Sequence, residues 1–267
     1  MFTLSIITIN RNNASGLLKT IESVIGQCYS NYEYIIIDGG SVDGSIDAIK
    51  KYADKINFWI SEPDSGIYNA MNKGLAKSTG EYCLFLNSGD YLISPGVLDQ
   101  IFKNNPKEDI IFGNIIYEGD KEPIVFSDTI TLNTFLGLSI GHAASFIKRD
   151  LFQKYGQYNE QNKIVSDWEF FLKAFLIYKC SYRHINETLT VYQKGGISTT
   201  ASQNVTLIEE RNGVLKREFP ELYDTIEENY QLKQQLDYYT HSRLVQLVKK
   251  LQHSRLNKLK NKYFFHR

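Results

Sequence analysis

Apolar residues along the first ninety positions fall into short continuous runs that alternate with helical stripes. Residues 4–9 form an apolar, β-branched run consistent with a buried strand. Residues 14–27 follow with Leu17, Leu18, Ile21, Val24 and Ile25 at helical spacing. Residues 34–37 read as a second buried strand, 43–52 as a helix with Ile46 and Ile49 on one face, 58–60 as a third strand and 66–78 as a third helix. Residues 82–86 read as a fourth strand. Alternating strands and helices predict an α/β fold with a parallel sheet covered on both faces. In such sheets ligands sit outside the carboxyl ends of the strands. All four runs end in polar residues, at 8–11, 38–40, 61–64 and 87–90, and this clustering is the first pointer to a site.

The second half is less regular. Residues 110–117 and 145–148 read as strands, 167–178 as a helix, and 184–185 and 189–193 as short strands before Gly195-Gly196. Beyond Thr200 the pattern is helical, with a break at Pro220 and a restart near Glu221. No internal repeat or low-complexity tract interrupts it.

The candidate chemistry sits at the strand ends. Asp38, Gly39 and Gly40 form a tight turn in which Asp38 caps backbone groups, or Asp38 accepts from a nucleobase N–H that the glycines let approach. Asp90, after Asn87-Ser88-Gly89, is a turn residue or a ligand for Mg²⁺ or Mn²⁺ bridging a diphosphate. Asp167 opens a helix, where it complements the helix dipole or, kept ionised by it, serves as a general base. Gly195, Gly196 and Ser198 form a flexible loop or a nest of N–H groups for phosphate, and His142 is a buried polar residue or a contact for substrate hydroxyls. Neither the dinucleotide fingerprint nor the P-loop pattern is present, which disfavours nicotinamide redox chemistry and P-loop hydrolysis.

Together these segments resemble family 2 glycosyltransferases with the GT-A fold, over residues 2–200. Residues 4–11 resemble the family's first strand and nucleotide loop, 34–45 its second strand and turn, 79–90 the strand with its metal-binding Asp-x-Asp-type motif, and 165–172 its catalytic-base helix start. Residues 61–74 resemble a segment of the members that build bacterial surface polysaccharides. The resemblance implies a mixed, mainly parallel sheet flanked by helices. It places Thr8, Asn10, Arg11 and Asp38 at the nucleoside, and Asp64, Tyr68 and Lys73 near the nucleotide or donor sugar. Ser88, Gly89, Gly195, Gly196 and Ser198 fall near the diphosphate, His142 and Trp168 near the acceptor, Asp90 on the divalent metal, and Asp167 becomes the base. The sequence departs from the family pattern at Asn87, where an acid is usual, at Gly39, where a second Asp is usual, and at Ser166, where Glu is usual.

The implied activity is inverting transfer of a sugar from a nucleotide-diphosphate donor, a uridine one, to a hydroxyl of a lipid-linked or growing saccharide in capsule, O-antigen or exopolysaccharide synthesis. The alternative is a non-catalytic nucleotide-sugar-binding subunit of an assembly complex, motivated by the thinned acidic motif. A sugar nucleotidyltransferase would need a glycine-rich basic loop after the first strand, where only Gly16 stands.

Composition bounds the setting. The 267 residues are 42 % hydrophobic and 22 % charged, which excludes a disordered chain. Three dispersed cysteines, Cys28, Cys83 and Cys180, suggest neither a disulfide framework nor a metal site, and point to a reducing, cytoplasmic location. No run approaches the roughly 18 apolar residues of a spanning helix, and the first residues lack a secretory signal's features. The 30 basic and 30 acidic residues cancel only in total. Residues 241–267 carry eight Lys and Arg and no acid, so the rest holds 22 basic residues against 30 acids. The expected organisation is a glycosyltransferase domain over 1–200, a helical extension over 201–240 and a basic amphipathic helix over 241–267. That helix packs on the protein's own body, on a second subunit in a homo-oligomer, or on the anionic inner face of the bacterial plasma membrane. No nucleic-acid partner is expected.

Overall fold

The computed structural model describes residues 3–137, 139–195, 205–241 and 245. Two compact units divide the chain, residues 1–212 and 213–267.

The first unit is built on one eight-stranded sheet. Its strands are β1 (Leu4–Asn10), β2 (Tyr32–Asp38), β3 (Phe58–Ser61), β4 (Tyr82–Phe85), β5 (Tyr91–Leu92), β6 (Ile110–Tyr117), β7 (Ser145–Lys148) and β8 (Tyr182–Tyr192). They lie side by side in the order β3-β2-β1-β4-β7-β6-β8-β5. The first four strands are mutually parallel, as the alternation predicts. β7 runs antiparallel to both β4 and β6, β8 is parallel to β6, and β5 is antiparallel to β8. β1 lies between β2 and β4 with all seven residues buried, which explains its continuous apolar run.

The helices of this half are α1 (Ala14–Ile25), α2 (Ser45–Lys51), α3 (Ile67–Lys77), α4 (Val97–Phe102), α5 (Leu132–Leu136), α6 (Arg149–Tyr155) and α7 (Ser166–Leu172). α3 packs on β1 and β2 so closely that a Cβ at Gly74 would lie 2.4 Å from Ile7 Cγ2. The strand order reverses between β1 and β4, so the chain leaving them in opposite directions opens a crevice at their carboxyl ends.

Two sequence expectations are refined. The helix expected over 167–178 is α7 followed by a π-helical turn, Lys173–Ile177. The two short strands expected at 184–185 and 189–193 are the single strand β8, whose register against β6 shifts at Gly113/Asn114 and again at Asn114/Ile115. The shift leaves Asn186 and Glu187 exposed, and this polar interruption reads in the sequence as a break. β5, α4, α5 and α6 carry too little periodicity to be anticipated.

Helix α8 (Val205–Glu218) crosses from the first unit into the second, where α9 (Tyr223–His241) follows. Between them, around Pro220, the Phe219 N–H returns to the Leu215 carbonyl at 2.9 Å and the Ile226 N–H to that of Leu222 at 2.9 Å. Leu232, Leu236, Tyr238 and Tyr239 are exposed along α9. No helix among the described residues is long and apolar enough to cross a membrane. Of the basic segment, only positions 241 and 245 are described.

Candidate active site

A cleft of about 940 Å³ opens at the carboxyl ends of the strands. Of the residues singled out from the sequence, it is lined by Asn10, Arg11, Asp64, Tyr68, Ser88, Asp90, His142, Asp167, Trp168 and Gly195. Thr8, Asp38, Lys73 and Gly89 are not in its lining. Gly196 and Ser198 lie outside the described residues.

Asp38 is fully buried at the end of β2. Its Oδ1 accepts from Asn10 Nδ2 at 2.7 Å and Ser41 Oγ at 2.6 Å, and its Oδ2 from the Ser41 N–H at 2.9 Å and Ser61 Oγ at 2.6 Å. Burial alone would raise its pKa, but the hydrogen bonds from Ser41, Ser61 and Asn10 outweigh that and hold it below the usual carboxylate range. These four donors close the turn after β2 on Asp38. Thr8 is likewise enclosed, donating to the Leu86 carbonyl at 2.7 Å and facing the Tyr34 hydroxyl at 3.1 Å. Lys73 pairs with Glu62 at 2.7 Å. Asn10 is what reaches the cleft from this corner: its amide nitrogen is bound to Asp38, and its Oδ1 has no hydrogen-bond partner.

The loop after β2 explains one departure from the family pattern. A Cβ at Gly39 would lie 2.3 Å from Asp64 Oδ2, so the glycine leaves room for the Asp64 carboxylate. Asp64 in turn accepts from the Gly66 N–H at 3.0 Å, holding the turn into α3.

Asp90 stands beyond β4, opposite the end of β8. Its Oδ1 accepts the Gln193 N–H at 2.9 Å, and burial raises its pKa to about 7. Gly89, at φ +102°, has Gln193 Oε1 only 1.7 Å from where a Cβ would stand, so the chain passes here only as glycine. Gln193 Oε1 also takes a 3.1 Å hydrogen bond from Asn13 Nδ2. Asn87, the residue in the place of the family's usual acid, holds a buried Oδ1 without a hydrogen-bond partner in the same wall.

These two oxygens test the fit of a divalent cation. No cluster of three or more His, Cys, Asp or Glu able to hold a metal occurs among the described residues. Among the described residues no basic group is paired with Asp90, and the orphaned amide oxygen of Asn87 lines the same cleft; both are hard donors of the kind Mg²⁺ and Mn²⁺ prefer. They fit a cation that draws its remaining ligands from a diphosphate and water.

Across the cleft, Asp167 lies in the first turn of α7. Its Oδ1 is 2.7 Å from the Tyr68 hydroxyl, which is also 2.6 Å from the Ile164 carbonyl. Burial and then the Asp167 charge push the Tyr68 phenol well above its ordinary pKa, so it stays a donor. The Tyr68 hydroxyl is thus engaged by Asp167 and the Ile164 carbonyl, while the residue itself lines the cleft. His142 packs flat on Phe85 at 5.3 Å, and its Nε2 is 2.8 Å from the Tyr158 hydroxyl. Burial lowers its pKa against the opposing pull of Asp167, which keeps the ring neutral at pH 7. Trp168 donates Nε1–H to the Phe135 carbonyl at 3.0 Å and carries the Arg211 guanidinium 5.1 Å from its ring centre.

Sequence reasoning missed several residues of this cleft. Asn13 and Gln193 hold the Asp90 wall, and Tyr192, whose hydroxyl accepts the Ala143 N–H at 2.8 Å, has its pKa raised by burial and then by Asp90, with Asp167 adding to it. Leu207 and Arg211 enter from α8. Asn13, Leu207 and Arg211 belong to no strand-end motif, and Tyr192 and Gln193, at the end of β8, carry no charge to single them out.

A mixed sheet flanked by helices, with a cleft at the β1/β4 reversal and acids at its rim, defines a GT-A glycosyltransferase architecture. The sequence profile of Glycosyl transferase family 2 matches residues 5–171, and the chain belongs to that family. An uncharacterized glycosyltransferase of Mycobacterium tuberculosis is 33 % identical over 230 residues, covering 82 % of this chain and 86 % of its own. A PGL/p-HBAD biosynthesis glycosyltransferase of Mycobacterium bovis is 27 % identical over 208 residues, covering 75 % and 80 %. Among solved structures, Staphylococcus aureus TarS 1–349 in complex with UDP-GlcNAc aligns with a TM-score of 0.69 at 18 % identity, covering 91 % of this chain and 74 % of that one. A mannosyltransferase of Pyrobaculum calidifontis in complex with GDP-Man and Mn²⁺ aligns with a TM-score of 0.60 at 13 % identity, covering 95 % and 80 %.

Proposed function

We propose that the protein transfers a sugar, with inversion at the anomeric carbon, from a nucleoside-diphosphate donor to a hydroxyl of a lipid-linked or growing cell-envelope glycan. The observation that carries this is Asp167. Its Oδ1 is occupied by Tyr68, and among the described residues its Oδ2 has no protein hydrogen bond, at the wall of a cleft whose other wall holds Asp90. Oδ2 takes the proton of the acceptor hydroxyl as that oxygen bonds to the anomeric carbon and the diphosphate leaves from the opposite side. Asn10 Oδ1 and Arg11 lie at the corner of the cleft assigned to the nucleoside, in place of Asp38 and Thr8. Asp90 and Asn87 Oδ1 would hold a divalent cation, which when bound would supply charge neutralisation for the leaving diphosphate. His142, neutral, and Trp168 face the acceptor, and Gly195 borders the diphosphate.

The donor class is supported by the nucleotide sugars bound in the two similar structures, UDP-GlcNAc and GDP-Man, and a uridine donor is the first to test. The envelope acceptor is supported by the mycobacterial relative named for PGL/p-HBAD biosynthesis. A thermal-shift screen of nucleotide sugars with Mn²⁺ identifies the donor, since a ligand at 100 times its Kd adds about 2.7 kcal/mol. With that donor, Asp167→Asn lowers turnover about 10²–10⁴-fold and leaves donor Kd unchanged. Turnover within tenfold of native would sink the base assignment.

A further inference from the structure

Helix α8 lies beyond residue 171, where the match to the family profile ends, yet it reaches the site. Glu210, on its second turn, directs its carboxylate at the loop that leads into α7. Oε1 accepts the Lys163 N–H at 2.7 Å, while Oε2 accepts the Ile164 N–H at 3.0 Å and the Val165 N–H at 3.3 Å. Three consecutive backbone N–H groups converging on one anion form a nest. Here the anion is supplied by the chain itself, from a residue 45 positions away.

The clasped loop is the part of the backbone that places the base. Val165 is the residue before α7, Asp167 is its second residue, and the Ile164 carbonyl shares the Tyr68 hydroxyl with Asp167 Oδ1. The loop is therefore held twice. Tyr68 holds it from α3 through a carbonyl, and Glu210 holds it from α8 through three amides. The next residue of α8, Arg211, lies over Trp168, beside Asp167. Lys163 and Ile164 themselves line the cleft.

Glu210 touches neither cleft-lining oxygen of the base nor any group assigned to the donor. We infer that Glu210 is a positioning residue for Asp167: its carboxylate fills the 163–165 nest and sets the base at the distance and angle that transfer requires. This inference rests on the reading of Asp167 as base. Displacement of a catalytic group by about 1 Å costs on the order of 10²-fold in rate.

The test uses the full chain, with two readouts. Amide hydrogen exchange over residues 163–165 reports the clasp itself. Release of nucleoside diphosphate from the donor selected by the thermal-shift screen reports the chemistry. In Glu210→Ala the three amides lose protection and turnover falls about 10²-fold, while donor Kd stays within twofold of native. Acetate at 100 mM, compared with chloride at equal ionic strength, refills the nest, restores protection and recovers at least tenfold of the lost turnover. Glu210→Gln keeps the volume of the side chain but not its charge, and serves if the alanine variant fails to fold; it loses turnover in the same direction. Retained protection, turnover within twofold of native, or a loss that acetate leaves unchanged overturns the inference. Turnover that survives Asp167→Asn refutes the base assignment instead. The exchange readout then decides the clasp alone, supported by lost protection in Glu210→Ala and overturned by retained protection.

Discussion

Asp90 occupies a wall that disfavours its charge, and this has a measurable signature. Its folded-state pKa of about 7 lies above the ordinary carboxylate value of 3.8, so the folded protein holds the proton more tightly than the unfolded chain. The stability this contributes is present in full below about pH 4 and is lost as the pH rises through about 7. In metal-free buffer the native Tm should fall between pH 5 and 8 more steeply than that of Asp90→Asn, which cannot titrate there. Mn²⁺ with nucleoside diphosphate at pH 8 should raise the native Tm and leave the variant's where it was. Parallel pH profiles for the two proteins would refute the assignment. At this scale the sequence located two acids of the cleft but not each partner. Asp90 and Asp167 both line the cleft. Asp38, equally conspicuous at a strand end, is consumed by Asn10, Ser41 and Ser61. A carboxylate after a strand looks the same in the sequence whether its donors come from a ligand or from its own loop, because those donors lie up to 28 positions away.

Among the elements, the parallel half is pinned at the end opposite the cleft by one buried acid. Glu33 Oε1 accepts from Ser5 Oγ at 2.6 Å, Thr79 Oγ1 at 3.0 Å and the Gly80 N–H at 3.1 Å, tying β2 to β1 and to the turn before β4. Removing it strands several buried donors. Glu33→Ala should destabilise the fold by about 3 kcal/mol while leaving donor Kd unchanged, read by urea denaturation and calorimetry. A loss under 1 kcal/mol would show that water replaces the carboxylate. Elements buried on both faces, such as β1 and β2, were legible as unbroken apolar runs. β5 spans two residues and has no period to detect, and β8 hid behind the polar step where its register shifts. Helix α8 was expected as a helix, but its part in the cleft was not, since nothing in a helical stripe says which distant loop its acid will clasp.

For the whole molecule, the neutral total charge conceals a division that the sequence shows plainly: eight positive charges in residues 241–267 and an acidic remainder. We propose that this segment docks on an anionic membrane, which would bring the cleft to a lipid-linked acceptor. At about 1 kcal/mol per basic residue near such a surface, deletion of residues 241–267 should lower sedimentation with phosphatidylglycerol vesicles at least tenfold at low salt. The difference should shrink as salt is raised. An unchanged bound fraction would count against the membrane and leave a protein surface as the segment's partner.

The hydrogen bond between Asp90 and the Gln193 amide spans 103 positions of chain. A contact of such separation carries a large loop-closure entropy and forms late, after locally closed units such as β1-α1-β2 can already have collapsed. The wall assigned to the diphosphate is therefore finished only when β8 docks, although the strand that leads to Asp90 belongs to the early half. A nascent chain that has emerged as far as residue 171 would carry nearly every recognisable motif of its family and still lack the partner that closes this wall. On the proposed function, donor binding would then report completion of the sheet, because the newly made protein would lack this wall until its fold is nearly complete.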